Sequence, residues 1–381
     1  MTSATIAVLG AGRVGALIAR DLASDPDLAV LALDRRPESL ATLAGDGVET
    51  REVDLADPTA VRGAALEADV VVAAVPGAIG HRLLHVLVDA GKPIVDISFS
   101  PEDPWDLDEI ARRGGIPLVV DCGVAPGISN LLAGRSAAEM DDLESVRILV
   151  GGLPVQPVGP WGYRAVFSPA DVLEEYVRPC RIRRGGREVD VPALTEVEPI
   201  EVPGIGTLEA FLTDGLRTLL RTLPAPELVE KTLRWPGHAA LAATLRDSGF
   251  LDTKPFQIGS IEITPRAVTE AVLVRAWTLE PGEEEFTLLR VIVEGSRGGR
   301  RERVTWELLD RTDPATGATS MARTSGFPAA IVARLLAAGR IAGTGVLPPE
   351  LLAQDRDLAD TILDELARRG VTIRHRTESI D

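Results

Sequence analysis

The six residues Gly10–Gly15, Gly-Ala-Gly-Arg-Val-Gly, constrain the chain more than any other feature because of where they stand. They follow a short apolar run, Ile6–Leu9, and open a stretch with helical spacing, Arg13–Ala23. In that setting Gly10 makes a tight turn, Gly12 lets the backbone approach a pyrophosphate, and Gly15 lets helix and strand pack closely. Arg13 and Val14 place backbone N–H groups at a helix N-terminus, where phosphate charge is favoured. A lone G-x-G-x-x-G is a weak signal. Here a strand precedes it, a helix follows, and an acid, Asp34, stands nineteen residues past Gly15 at the end of the next apolar run. Dinucleotide binding is the expectation.

The same alternation continues through residue 122. After Leu28–Leu33 come Thr50–Val53, Val70–Val75, Pro93–Ser98 and Ile116–Asp121, separated by helical stretches at Pro58–Glu67, His81–Ala90 and Leu107–Arg113. Six short apolar runs joined by helices predict a doubly wound parallel sheet buried on both faces, an α/β Rossmann domain over residues 1–122. Beyond Gly123 the rhythm changes. A helix is expected at Ile128–Ala138, a strand at Val146–Val150, a hairpin at Arg181–Val191 about Gly185-Gly186, and an antiparallel pair at Glu285–Glu294 and Arg303–Asp310. Helices are expected over Leu208–Leu223, Glu227–Ser248 and Arg266–Leu279. Residues 123–325 thus read as an inserted α+β domain, and 326–381 as C-terminal helices returning to the first domain. At 381 residues the chain exceeds one ordinary core and suits two.

Composition narrows the function. Forty basic against 57 acidic residues give a net charge of −17, which disfavours nucleic-acid and anionic-membrane partners. Cys122 and Cys180 form no CxxC pair, and the four histidines form no HxH or HxxxH pair, so neither a disulfide framework nor a metal site is expected. No apolar run reaches the ~18–20 residues that span a bilayer. The start, MTSATIAVLG, has no basic segment ahead of an apolar one, so it does not read as a signal peptide, and the cytoplasm is the expected location.

Candidate site residues follow from position. Asp34 should accept hydrogen bonds from an adenosine ribose, which favours NAD. Arg35 and Arg36 leave NADP open, since a guanidinium accommodates a 2′-phosphate. Asp54, after the third run, either meets the adenine edge or caps the helix that begins at Pro58. Val75 and Pro76, in the Ala73–Gly77 turn by the switch point, are expected as pocket wall. Asp96 and Asp121 end the fifth and sixth runs, where a reacting group belongs in this architecture, facing the second domain. Each is a turn-former or an acid–base group. Cys122 has no evident base beside it and reads as apolar wall. Further on, Lys231, Arg234 and His238 fall within eight residues, and Asp214 and Arg217 stand in the preceding segment. All are candidates for substrate binding or catalysis against the alternative of a solvated helix face.

Taken together, GAGRVG, VDISFSPEDP (Val95–Pro104), CGVAPGISNLLAGR (Cys122–Arg135), GGLP (Gly151–Pro154), LEAFLTDGLRTLL (Leu208–Leu220) and EKTLRWPGH (Glu230–His238) resemble the saccharopine dehydrogenase-like family. Within it the resemblance leans to the enzymes that oxidise the side-chain amine of L-lysine. It implies a Rossmann domain, an inserted α+β domain for substrate and dimer contacts, a homodimer or larger assembly, and amino acid dehydrogenase activity. Where the reductases of the family read Asp-Pro-Gly-Ile-Asp-His, this chain has Ala125-Pro126-Gly127-Ile128-Ser129-Asn130, a departure that favours a small diamino acid over saccharopine. The Thr-x-Arg-aromatic pattern at Thr232–Trp235 implies that Arg234 holds the substrate carboxylate, with Asp214 and Arg217 as further substrate contacts. Hydride cannot leave a carbon whose nitrogen is an ammonium, so a base is required, and Asp96 and His238 are the candidates. Two alternatives stay open: a reductive-condensation dehydrogenase of the saccharopine or carboxynorspermidine type, and a non-catalytic sensor of NAD(P).

Overall fold

The computed structural model describes residues 4–280 and 282–380. The first three residues, part of the start read above as lacking a signal segment, lie outside that set. In chain order the first run is β1 (Ala4–Leu9), α1 (Arg13–Ala23), β2 (Leu28–Asp34), α2 (Pro37–Ala41), β3 (Glu49–Glu52), α3 (Pro58–Glu67), β4 (Val70–Ala73), α4 (Gly77–Ala90), β5 (Ile94–Asp96), α5 (Asp108–Gly114), β6 (Pro117–Val119) and α6 (Ile128–Ala137). The middle run is β7 (Asp142–Pro154), α7 (Pro169–Glu174), β8 (Cys180–Arg184), β9 (Arg187–Val191), β10 (Glu198–Val202), β11 (Gly206–Leu212), α8 (Leu219–Thr222), β12 (Glu227–Arg234), α9 (His238–Asp247), β13 (Phe256–Ile258), β14 (Ile261–Ile263), α10 (Pro265–Trp277), β15 (Glu285–Arg297) and β16 (Arg300–Arg311). The chain ends with α11 (Ser320–Ala337), β17 (Gly345–Val346), α12 (Pro349–Leu352), α13 (Arg356–Arg368) and β18 (Ile373–Ser379).

These elements form two compact units. One holds the chain up to Glu139 together with Arg221–Leu223 and Ala322–Ile373; the other holds Met140–Leu220, Pro224–Met321 and the segment from Arg374 onward. The first unit carries a seven-stranded sheet of described strands in the order β17-β6-β5-β4-β1-β2-β3. β1 lies between β2 and β4, parallel to both, so the strand order reverses there and the strand ends open a crevice. The strands read as unbroken apolar runs because helices cover both faces: Ile6, Leu9, Leu33 and Val71 are fully buried. Each such side chain contributes about 1.5–3 kcal/mol. The returning segment adds helices, as the sequence leads one to expect, and also β17, paired with β6 beside Pro117.

The second unit is built on a nine-stranded mixed sheet, again of described strands, with the path β10-β11-β12-β7-β15-β16-β18 and the β8–β9 hairpin off β12. The expected hairpin and the expected β15–β16 pair are both present. Two expected helices are not. Leu208–Leu223 begins as a strand, β11, and retains one helical turn in α8. Glu227–Ser248 begins as β12, and only His238–Asp247 is helical. The reason is burial on both faces. In β12 Leu228, Glu230, Lys231, Thr232, Leu233 and Arg234 are all buried, so no apolar-polar alternation marks the strand. The final strand, β18, joins this second sheet instead of continuing the helical return to the first.

Candidate active site

The glycine turn forms a cradle at the carboxyl ends of β1, β2 and β4. Gly10 adopts a φ of +102°, and a Cβ there would meet the Ala74 carbonyl oxygen at 2.3 Å. A Cβ on Gly15 would meet the Gly10 carbonyl oxygen at 1.9 Å, so α1 presses against the turn as closely as backbone allows. Gly12 differs: no atom lies within 4 Å of where its Cβ would be, which leaves open space above the helix start. Gly12 is the N-cap of α1 and supplies no side-chain hydrogen bond, and the first turn, which begins with Arg13 and Val14, carries no acidic residue. Backbone N–H groups therefore face that space uncapped, the arrangement that binds a pyrophosphate. The residues fit a dinucleotide.

Asp34 ends β2 beside this cradle and is 7% exposed. One carboxylate oxygen accepts from the Ala11 N–H at 2.8 Å, the other from the Arg36 N–H at 2.9 Å, with Arg36 Nε at 3.5 Å. The acid thus ties the glycine turn to the end of β2. Arg35 and Arg36 are exposed. Asp54 does not cap α3: its carboxylate accepts from Ala56 N–H in a local turn, and Asp57 is the N-cap, accepting from Thr59 N–H at 2.9 Å. Val75 is buried, and Pro76 is the N-cap residue of α4.

At the far strand ends, Asp96 is 3% exposed and accepts from both the N–H and the hydroxyl of Ser98, at 3.1 and 2.7 Å. Cys122 N–H donates to the Asp96 carbonyl oxygen, and Asp121 sits at a φ of +53°, so the two acids and the cysteine form one knot. Burial, reinforced by the Asp96 and Asp121 charges, pushes the Cys122 thiol far up, which makes it an inert wall residue. Ser129 and Asn130 are fully enclosed. Asn130 accepts from Gly127 N–H and the Ser129 hydroxyl and donates to Glu350 at 3.1 Å, and Glu350 also accepts from the Thr222 hydroxyl. The departure at these two positions therefore shapes a buried polar knot around α6.

In the second unit the expected cluster of Lys231, Arg234 and His238 comes apart, because β12 is a strand and its side chains alternate. Lys231 turns to one face and donates to Glu198 and to the Glu196 carbonyl oxygen. Glu230, Thr232 and Arg234 turn to the other. Arg234, 2% exposed, donates to Glu175 at 2.9 Å and to the Leu233 carbonyl oxygen, and lies 4.7 Å over the Tyr163 ring. Burial disfavours its charge, but Tyr163 and Glu175 more than offset this and hold its pKa above the ordinary arginine value. Its guanidinium is committed to Glu175. His238 opens α9 and is 1% exposed, enclosed by Trp161, Tyr163, Tyr176 and Phe211. Nδ1 lies 3.0 Å from the Trp161 carbonyl oxygen, which can only accept, so Nδ1 carries the proton and Nε2 accepts from the Tyr176 hydroxyl at 2.7 Å. Burial first, then the Arg234 charge, lowers its pKa to about 3. That is the geometry of a packed neutral imidazole.

Asp214 accepts from Arg181 through its backbone N–H, Nε and Nη2, at 3.0–3.2 Å. It shares a loop with Arg217, whose φ is +46°. Behind that loop stands a group the sequence reading passed over: Glu230, 2% exposed, accepts from the Thr213 hydroxyl at 2.6 Å. Burial, with Glu175 and Asp214 adding to it against the Thr213 hydrogen bond, raises its pKa to about 8. Polar residues at every second position, 230, 232 and 234, are the signal that would have found it. Among the described residues no group of three or more His, Cys, Asp and Glu could hold a metal ion, and no helix is long and apolar enough to cross a membrane.

Comparison with known proteins agrees with this frame. Residues 6–119 match the saccharopine dehydrogenase NADP binding domain and residues 123–371 the saccharopine dehydrogenase C-terminal domain. The NADP(+)-dependent, L-glutamate-forming saccharopine dehydrogenase of Schizosaccharomyces pombe is 25% identical, over 84% of this chain and 87% of its own. The Saccharomyces cerevisiae enzyme of the same description is 23% identical, over 98% and 99%. A solved apo structure of the L-Glu-forming saccharopine dehydrogenase from Saccharomyces cerevisiae shares the fold at a TM-score of 0.80 and 20% identity, covering 98% of this chain and all of that one. The chain belongs to the saccharopine dehydrogenase family and is an NAD(P)-dependent oxidoreductase acting on an amino-acid substrate.

Proposed function

We propose that this enzyme oxidises the C–N bond of a secondary-amine amino acid of the saccharopine type, releasing L-glutamate and an amino acid semialdehyde. The observation that carries the reading is that relatives described as L-glutamate-forming saccharopine dehydrogenases align across both domains. Oxidation of the lysine side-chain amine, the reading the sequence resemblance led to, shares the chemistry, but the relatives that align across both domains are described by the saccharopine reaction.

A bound nicotinamide supplies a hydride acceptor. The chain's own residues supply the rest. The substrate nitrogen must shed a proton before its lone pair can expel hydride, and we assign that proton to Asp96, which stands at a strand end and is oriented by Ser98. The resulting imine carbon adds water, and the C–N bond breaks to give aldehyde and amine. His238 is not the base in this scheme, because both its ring nitrogens are engaged and its pKa of about 3 makes it a poor proton acceptor. With Arg234 committed to Glu175, substrate carboxylates fall to Arg217, and Asp214 orders its loop. NAD is the preferred coenzyme in this reading, because a 2′-phosphate would meet the Asp34 carboxylate. A homodimer or larger assembly goes with the family.

The test is product analysis. Purified enzyme with NAD+ and L-saccharopine should form reduced nicotinamide and L-glutamate in equal amounts. Ammonia released from L-lysine, with no glutamate from saccharopine, would overturn the reading. Asp96→Asn should lower turnover by at least ~100-fold with folding intact.

A further inference from the structure

The loop from Thr213 to Thr218 carries Arg217, assigned to the substrate, and Asp214, yet it lies outside any regular element until α8 begins. What fixes it is on β12. The Glu230 carboxyl accepts from the Thr213 hydroxyl at 2.6 Å and from the Gly215 backbone N–H, and Thr213 in turn lies 2.8 Å from the Thr232 hydroxyl one position along the same strand face. Gly215 packs directly on that carboxyl. A Cβ at 215 would stand 2.6 Å from both the carboxyl carbon and an oxygen of Glu230, although the backbone there is not in the left-handed region and would accept any residue. The segment is therefore gripped on either side of Asp214, at 213 and at 215, by one buried side chain.

We propose that Glu230 is a positioning residue: it latches the Thr213–Thr218 loop through Thr213 and Gly215, and so sets where Arg217 presents its charge to the substrate. This rests on the reading that Arg217 binds substrate. The ionisable groups around it are Asp214 on the loop, Glu175 beyond α7, and the buried Cys180 thiol on β8, whose pKa is raised by burial first and then by Glu230. Thr213 and Gly215 both donate to this carboxyl, so the latch needs an acceptor oxygen at position 230.

Two kinds of measurement test this on the full-length enzyme. In Glu230→Ala, hydrogen exchange of the loop amides should quicken at least ~10-fold while the rest of β12 stays protected. With L-saccharopine and NAD+ as probes, KM for saccharopine should rise ~10-fold in the same variant with kcat within about threefold. Gly215→Ala, which pushes on the same carboxyl without altering it chemically, should raise KM similarly. Combined with Glu230→Ala it should add little further, since both changes break one contact. Unchanged loop exchange in folded Glu230→Ala and Gly215→Ala overturns the proposal, as does additivity of the pair. Faster loop exchange with no KM change in Glu230→Ala or Arg217→Ala instead upholds the latch and removes the substrate reading of the loop.

Discussion

Asp34 has two tasks, and they separate by mutation. Its charge disfavours a 2′-phosphate, and its oxygens hold the Ala11 and Arg36 N–H groups. Asp34→Asn keeps an acceptor for Ala11, gives up the one for Arg36 and removes the charge, so the ratio of kcat/KM for NADP+ over NAD+ should rise ~10-fold or more, with Arg35 and Arg36 free to meet the added phosphate. An unchanged ratio would mean that the carboxylate serves the turn alone. His238 makes the opposite case, a residue whose chemistry suggests catalysis and whose surroundings specify packing. His238→Ala should act first on stability: a lower melting temperature, with turnover per folded molecule falling far less than in Asp96→Asn. Removing it leaves the Tyr176 hydroxyl and the Trp161 carbonyl without their partner inside an aromatic cluster.

Elements show how far a sequence can be read before packing decides. β1, β2 and β4–β6 were legible because parallel strands buried on both faces leave short apolar runs between turn signals, and the cofactor cradle came with them because a glycine's need for φ > 0 or close approach is local. β11 and β12 were not. Lys231, Arg234 and His238 look like a helical face only if the backbone is helical, and no local signal says that Lys231 and Arg234 turn opposite ways on a strand. For the same reason Glu230 and Glu175, which organise the buried face, stayed invisible, and Arg234 was assigned a substrate carboxylate when Glu175 supplies one from within. Around α6 the decisive partner of Asn130, Glu350, is 220 residues away. Glu350→Ala removes the acceptor that Asn130 meets in a closed interior and should destabilise the fold by about 1–3 kcal/mol, read as a lower denaturant midpoint with the slope unchanged. A neutral effect would mean that the knot is dispensable.

At the scale of the molecule, two buried groups tilt stability in opposite directions with pH. His238 has its pKa lowered from 6.5 to about 3, so the folded state binds fewer protons than the unfolded one between those values, and stability is lost as pH falls through that window. Glu230 has its pKa raised from 4.5 to about 8, so the folded state binds more protons there, and stability is lost as pH rises from 4.5 to 8. Where the windows overlap, between 4.5 and 6.5, the two slopes cancel. Glu230→Gln should therefore flatten the melting-temperature profile between about pH 6.5 and 8 and uncover the His238 slope between 4.5 and 6.5. The account as a whole stands on the seat for a pyridine nucleotide at the head of α1, and Gly12 offers a clean way to close it. A side chain there meets open space and an ordinary backbone angle, so Gly12→Glu should fold normally while placing a carboxylate where the pyrophosphate belongs. Calorimetric titration with NADH should give saturable binding to the wild-type protein and an affinity at least ~100-fold weaker in Gly12→Glu. Equal affinity in the two proteins, or no binding of NADH or NADPH to either, would contradict it.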